Sequence, residues 1–177
     1  DVNQANKNGR TPLNIASHNG HTKLASLLLA KEGLDVNPAN KNGDTPLLFA
    51  SQNGHTEVVS LLLAKEGLDV NLANKIGVTP LYIAIKRGHT KVVSLLLAKE
   101  GVDVNQADAN GVTPLHIGSK KGLREVLLLL LAKEGADINQ ANKSGVTPLY
   151  VASQKGHTKL VSLLLAKEGV NVNQTDK

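Results

Sequence analysis

The tripeptide Thr-Pro-Leu stands at Thr11, Thr45, Thr79, Thr113 and Thr147, a constant step of 34 residues. A unit of that length is a single supersecondary element. It cannot bury its own apolar face, so its copies must stack. Stability then comes from contacts between neighbouring copies rather than from one central core, and such arrays work through extended surfaces.

The unbroken period predicts one repeat array over residues 1–177, with copies at 6–39, 40–73, 74–107, 108–141 and 142–175. Residues 1–5 read as the end of a preceding copy. Phe49, Tyr82 and Tyr150 are the only aromatic residues, so burial must come from Leu, Val, Ile and Ala, which suits close helix packing. The absence of cysteine excludes disulfides and thiolate-bound metals, and fits a reducing compartment, cytoplasmic or nuclear. The longest apolar run, Val126–Ala132, is far too short for a membrane span, and no signal peptide or transit segment is recognisable. The chain starts within a repeat at Asp1-Val2-Asn3 and stops within another at Asn171-Val172-Asn173, as expected of a piece of a longer protein. Terminal repeats of isolated arrays carry polar caps. Here Leu27–Leu29 and Val161 with Leu163–Leu165 remain apolar, so the expectation is either that the parent protein continues both ways or that the ends stack on another molecule, end-to-end self-stacking included.

The second copy shows how one unit folds. Thr45-Pro46 suits a helix start, since the hydroxyl caps free backbone donors and Pro fits the first helical position. A short helix follows through Leu47 to Ser51, and Gly54 ends it. A second helix, about Thr56 to Lys65, places Val58, Val59, Leu61, Leu62 and Leu63 mostly inward. Gly67 ends that helix. Asp69-Val70-Asn71 then leads into a finger that closes in a turn at Asn74-Lys75-Ile76-Gly77.

Thr-Pro-Leu-x-x-Ala, Gly-His-Thr, Leu-Leu-Leu and Gly-x-Asp-Val-Asn, in that order, resemble the ankyrin repeat, and the resemblance covers the whole chain. Tetratricopeptide repeats share the period but not this pattern. The resemblance implies an all-α repeat solenoid, each repeat a helix-turn-helix pair with a projecting β-hairpin-like finger. Ankyrin repeats typically run to 33 residues. The extra residue falls in Ala64–Gly67 and its equivalents, predicting a longer second helix or a wider exit turn. The usual His after Thr-Pro-Leu survives only at His116, with Asn14, Leu48, Tyr82 and Tyr150 elsewhere.

The Gly-His pairs at His21, His55, His89 and His157 repeat once per unit. That sets successive imidazoles roughly 10 Å apart, the packing distance of neighbouring helices, too far to share a metal whose ligands lie about 2 Å from it. By resemblance these histidines tie loop backbone together. No cysteine nucleophile exists, Ser26, Ser60, Ser94 and Ser162 recur on an exposed helix face, and the glycines mark turns rather than a phosphate cradle. Neither an enzyme nor a cofactor, metal or small-molecule substrate is expected.

By the same resemblance, partners bind along the concave side through finger tips and first-helix ends. The tips are Lys7, Asn8 and Arg10; Lys41, Asn42 and Asp44; Lys75, Ile76 and Val78; Ala109, Asn110 and Val112; and Lys143, Ser144 and Val146. The helix ends are His18, Asn19, Gln52, Asn53, Lys86, Arg87, Lys120, Lys121, Gln154 and Lys155. With Asp108 included, this face holds ten basic residues against two acidic ones, an excess of +8 in a chain of net charge +5, which leaves −3 elsewhere. Such a field steers acidic partners. The cations of repeats three to five lie beside apolar tips at Ile76, Val78, Val112 and Val146, read as exposed.

The leading expectation is therefore a protein-binding module for an acidic or mixed acidic–apolar segment. Its contacts would be Lys75, Ile76, Val78, Lys86, Arg87, Asn110, Val112, Lys120, Lys121, Lys143, Ser144, Val146 and Lys155. The alternatives are a nucleic-acid or anionic-lipid surface, a passive spacer, or a scaffold designed for regularity. Single-strand binding needs stacking aromatics. Only Tyr82 and Tyr150 are available, and both can equally be committed to the interior. Repeat four carries its own changes: Gly118 replaces a recurrent Ala at a propensity cost of about 1 kcal/mol, Leu123 replaces the loop His, and Arg124, Leu127 and Leu128 are also its own. Leu128 is expected to be partly exposed, and repeat four to be the least protected interior repeat. Leu29 with Asn37, Leu63 with Asn71 and Leu97 with Asn105 have the spacing that the resemblance associates with Asn hydroxylation, against a plainer role for these Asn side chains in hydrogen-bonding the finger.

Overall fold

The computed structural model describes residues 1–173, so the last two residues of the fifth repeat, 174 and 175, lie outside the described residues. The chain divides into two compact units, Asp1–Val102 and a second beginning at Asp103. The first holds α1 (Pro12–Asn19), α2 (Thr22–Leu29), α3 (Pro46–Asn53), α4 (Thr56–Leu63), α5 (Pro80–Arg87) and α6 (Thr90–Ala98). The second holds α7 (Pro114–Lys121), α8 (Arg124–Leu131), α9 (Pro148–Gln154) and α10 (Thr158–Leu165). No strand occurs among the described residues, so the architecture is all-α, built from stacked helix pairs.

Each pair starts as the residues dictate. The Leu48 amide donates to Thr45 Oγ1 at 3.2 Å, satisfying one of the free donors at the start of α3, and Pro46 takes the first position, where no donor is missed. Gly54 ends α3 at φ 74. It has a second reason to be glycine: a Cβ there would lie 2.7 Å from Nδ1 of His89 in the next repeat.

In α4, Val58, Val59 and Leu62 are fully buried, each worth roughly 1.5–3 kcal/mol of transfer free energy. Leu61 and Leu63 are only half-buried, so the inward stripe is narrower than the apolar run. The helix stops at Leu63 rather than at Lys65. The residues Ala64 to Gly67 form the exit turn, in which the Lys65 amide donates to Leu62 O at 3.0 Å and Gly67 takes φ 76. In this repeat the added length thus lies in the turn, whereas in the third repeat α6 runs one residue further, to Ala98.

Within the first unit α1 packs on α3 and α3 on α5, while α2 packs on α4 and α4 on α6. Within the second, α7 packs on α9 and α8 on α10. Polar bonds reinforce these layers at the same place in successive repeats. Asn37 Nδ2 donates to Gly67 O at 2.7 Å, while its Oδ1 accepts the Asp69 amide at 3.1 Å. In the second unit Asn105 does the same with Gly135 O (2.6 Å) and the Asp137 amide (2.9 Å). The Lys of the exit turn reaches back one repeat: Lys99 Nζ donates to Leu63 O at 2.9 Å and Lys167 Nζ to Leu131 O at 3.2 Å. A cation on the free carbonyls of a helix C-terminus is favourable both as a hydrogen bond and against the helix dipole.

The finger is closed by an Asx turn rather than by a strand ladder. Asn74 donates its amide to Val78 O, and its Oδ1 accepts the amides of Ile76 and Val78. Neighbouring fingers touch through backbone, with the Lys75 amide on Asn42 O at 2.9 Å and the Lys143 amide on Asn110 O at 3.0 Å. A Cβ on Gly43 would sit 2.9 Å from Lys75 N, so this glycine supplies both a positive φ and room for the next finger.

Candidate protein-interaction surface

The loop histidines are occupied by the stack. His55 Nε2 lies 3.0 Å from His18 O, His89 Nε2 3.1 Å from Gln52 O, and His157 Nε2 3.3 Å from Lys120 O. A carbonyl can only accept, so each Nε2 carries the proton and donates it. Their role is to tie first-helix ends to the following loop. No group of three or more His, Cys, Asp or Glu able to hold a metal occurs among the described residues.

His116 sits differently. The Thr113 amide and hydroxyl both point at its Nδ1 (3.2 and 2.7 Å), and its Nε2 donates to Val146 O at 2.9 Å. Nδ1 must therefore stay an unprotonated acceptor. Burial pushes the imidazole below the usual histidine range, while the Val146 carbonyl and the Asp108 carboxylate act the other way. Asn14 reproduces this arrangement in the first repeat. Its Oδ1 accepts from the Thr11 amide and hydroxyl at 2.9 Å each, and its Nδ2 donates to Pro38 O at 3.0 Å. The sequence registers Asn14 as a loss of the histidine, whereas physically it is an equivalent.

The expected contact residues fall into two sets, one on each unit. On the first unit Lys75, Ile76, Lys86 and Arg87 are exposed, Ile76 at 63%. Lys86 Nζ lies 5.9 Å from the ring centroid of Tyr82, which is buried. Val78 corrects the expectation: it is 7% exposed, because the residue that closes the finger turns its side chain into the protein. On the second unit Asn110, Lys120, Lys121, Lys143, Ser144 and Lys155 are exposed, while Val112 and Val146 are half-buried. The apolar content of the tips is therefore smaller than the sequence suggests, and Ile76 carries most of it.

The two acidic residues of this face are engaged internally. Asp44 accepts Asn40 Nδ2 at 3.1 Å and Asn74 Nδ2 at 2.9 Å, bridging two fingers. Asp108 Oδ1 accepts the amides of Asn110 and Val112. In the first unit Arg10 lies over Phe49 at 4.7 Å, and His18 meets the same ring edge-on at 5.3 Å. Asn53 Nδ2 donates to His18 O at 2.9 Å, so this helix-end residue serves the stack.

The family model described as "Ankyrin repeats (3 copies)" matches residues 1–74 and 61–142, and the one described as "Ankyrin repeat" matches residues 144–177. The chain is an ankyrin-repeat protein. No curated protein matches it. Ankyrin repeats generally mediate protein–protein interactions and are typically non-catalytic. Among the described residues no helix is long and apolar enough to cross a membrane.

Within the ankyrin pattern, repeat four is resolved by its packing. Leu127 is fully buried, where equivalent positions hold Val or Ala, and its extra carbon occupies the space above Gly118. Leu128 is 38% exposed, as the sequence predicts. Tyr150 is not interior: it is 47% exposed, unlike its counterpart Tyr82. Two functional contributions escaped the sequence reading. Lys99 and Lys167 look like solvated charges, yet they cap the preceding ankyrin helix. The recurrent Asp-Val-Asn asparagines hydrogen-bond the finger base as the plainer reading expects, but the partners, a glycine carbonyl and an aspartate amide, belong to the next repeat.

Proposed function

We propose that this ankyrin chain is a binding module for an acidic, partly apolar segment of another protein, taken by the finger tips and first-helix ends. The observation that supports this most is the state of the cations. Lys86 and Arg87 on the first unit, and Lys120, Lys121, Lys143 and Lys155 on the second, are all exposed, and none forms an ion pair among the described residues. The nearby carboxylates of Asp44 and Asp108 are turned to closing fingers. Each unit thus offers its own uncompensated positive patch, which favours encounter with an acidic segment. Ile76 on the first unit adds an apolar contact, and Asn110 and Ser144 on the second add polar ones.

Charge reversal tests the reading directly. A Lys86→Glu, Arg87→Glu, Lys120→Glu, Lys121→Glu variant of the full chain is expected to lose the partners that the wild-type chain captures. Capture at unchanged affinity would remove the proposal. A salt titration with generic DNA and with anionic vesicles separates it from a phosphate-binding surface, since phosphate-driven binding falls steeply and linearly on a log–log salt plot.

A further inference from the structure

The departures of repeat four divide into two kinds. Gly118 and Leu127 compensate each other in the interior. Arg124 and Leu128 do not: both are exposed, one turn apart on the same stripe of α8, where the other four repeats carry Thr and Ser. No packing need accounts for them.

What lies beside them is a surface between α8 and α10 with two adjoining cavities, both lined by Arg124 and Lys159. Leu163 and the buried Leu160 supply apolar wall, and Leu128, one turn from Arg124 on α8, is 38% exposed. Neither the Arg124 guanidinium nor the Lys159 ammonium makes an ion pair or side-chain hydrogen bond with another described residue. Glu125 is the only acidic residue in the two helices. In the first unit, the corresponding surface between α2 and α4 has Thr22 and Ser26 where Arg124 and Leu128 stand, and one cation, Lys23.

We propose that this second-helix face of the C-terminal unit docks an acidic amphipathic helix of another protein. The leucine stripe of the helix would lie on Leu128 and Leu163, and its carboxylates on Arg124 and Lys159. The choice of occupant follows from the surface. An apolar strip flanked by two unpaired cations is complementary to a helix with apolar residues at three- and four-residue spacing and acids beside them. This surface is distinct from the finger tips, so it can be occupied independently of them.

The test uses the isotopically labelled full chain and a synthetic helical peptide with Leu at alternating three- and four-residue intervals and Glu at the flanking positions. Shifts are expected at α8 and α10. The Arg124→Thr, Leu128→Ser variant, which installs the residues of the sister repeats and so keeps the fold, is expected to weaken binding by about tenfold or more. Lys31→Glu, at an exposed cation of the first unit outside both surfaces, is expected to leave it unchanged. Equal affinity for the Arg124→Thr, Leu128→Ser variant, or shifts confined to the finger tips, would overturn the proposal. So would binding of phosphatidylserine vesicles through Arg124 and Lys159 without binding of the peptide, or self-association lost in the same variant while the peptide fails to bind.

Discussion

A Cβ on Gly118 would fall 2.5 Å from Cδ1 of the fully buried Leu127, so an alanine there requires the leucine to move within the core. In the other repeats an Ala at the first position faces a Val or Ala at the second. Gly118→Ala therefore does not simply recover helix propensity. It is expected to destabilise the chain by about 1–3 kcal/mol through overpacking. Adding Leu127→Val should restore the sister arrangement, with a coupling of about 0.5–3 kcal/mol between the two sites. Denaturant titration of the four members of the cycle measures it, and additive effects would refute the pairing.

His116 makes stability depend on pH. Its folded pKa lies below the ordinary value of 6.5, so on acidification the unfolded chain takes up the proton first. The contribution of His116 is then complete above about pH 6.5 and is lost as pH falls from there through the folded pKa. Asn14 shows that an asparagine can make the same bonds without titrating. His116→Asn is therefore expected to fold with a flatter stability profile between about pH 5 and 7 than the wild type. Superimposable profiles for the two chains would exclude the assignment.

The Oγ atoms of Ser17, Ser51 and Ser119 are buried and have no hydrogen-bond partner among the described residues. Ile85 stands at the same position in the third repeat and is fully buried. Ser51→Ala removes an unsatisfied hydroxyl and adds helix propensity, and is expected to stabilise by about 1 kcal/mol. Thermal unfolding should show a higher midpoint, and a lower one would mean that the hydroxyl is satisfied after all.

Removing a bridging asparagine acts locally. Asn37→Ala leaves Gly67 O and the Asp69 amide without their partner, at about 0.5–1.5 kcal/mol per bond. Amide exchange should quicken at Asp69 more than at the interior amides of α4. A uniform acceleration throughout the unit would instead indicate a global effect.

Those features governed by local chemistry could be read from the chain directly. Thr45 and Pro46 specify a helix start by their own atoms, and Gly54 and Gly67 specify turns by φ. What could not be read depends on contacts that only the folded chain makes. Val78 resembles an exposed finger-tip valine until the finger closes and turns it inward. Gly118 reads as a lone defect because its compensation, Leu127, lies on another helix. Lys99 has no visible purpose until Leu63 O is placed beside it. Cations such as Lys120 and Lys121, with neither a turn nor a core to serve, were legible as surface because nothing nearby constrains them.

The asparagine bridges also bear on how such a chain can change length. Each joins a side chain to a carbonyl 30 residues further on and to an amide 32 residues on. A single-residue insertion between the bonded groups displaces both partners at once. A tandem duplication or deletion of one whole period hands every asparagine an equivalent glycine carbonyl and backbone amide. The bonding pattern therefore tolerates unequal crossing-over in register and resists small insertions, so lineages carrying it should vary in copy number far more readily than in period.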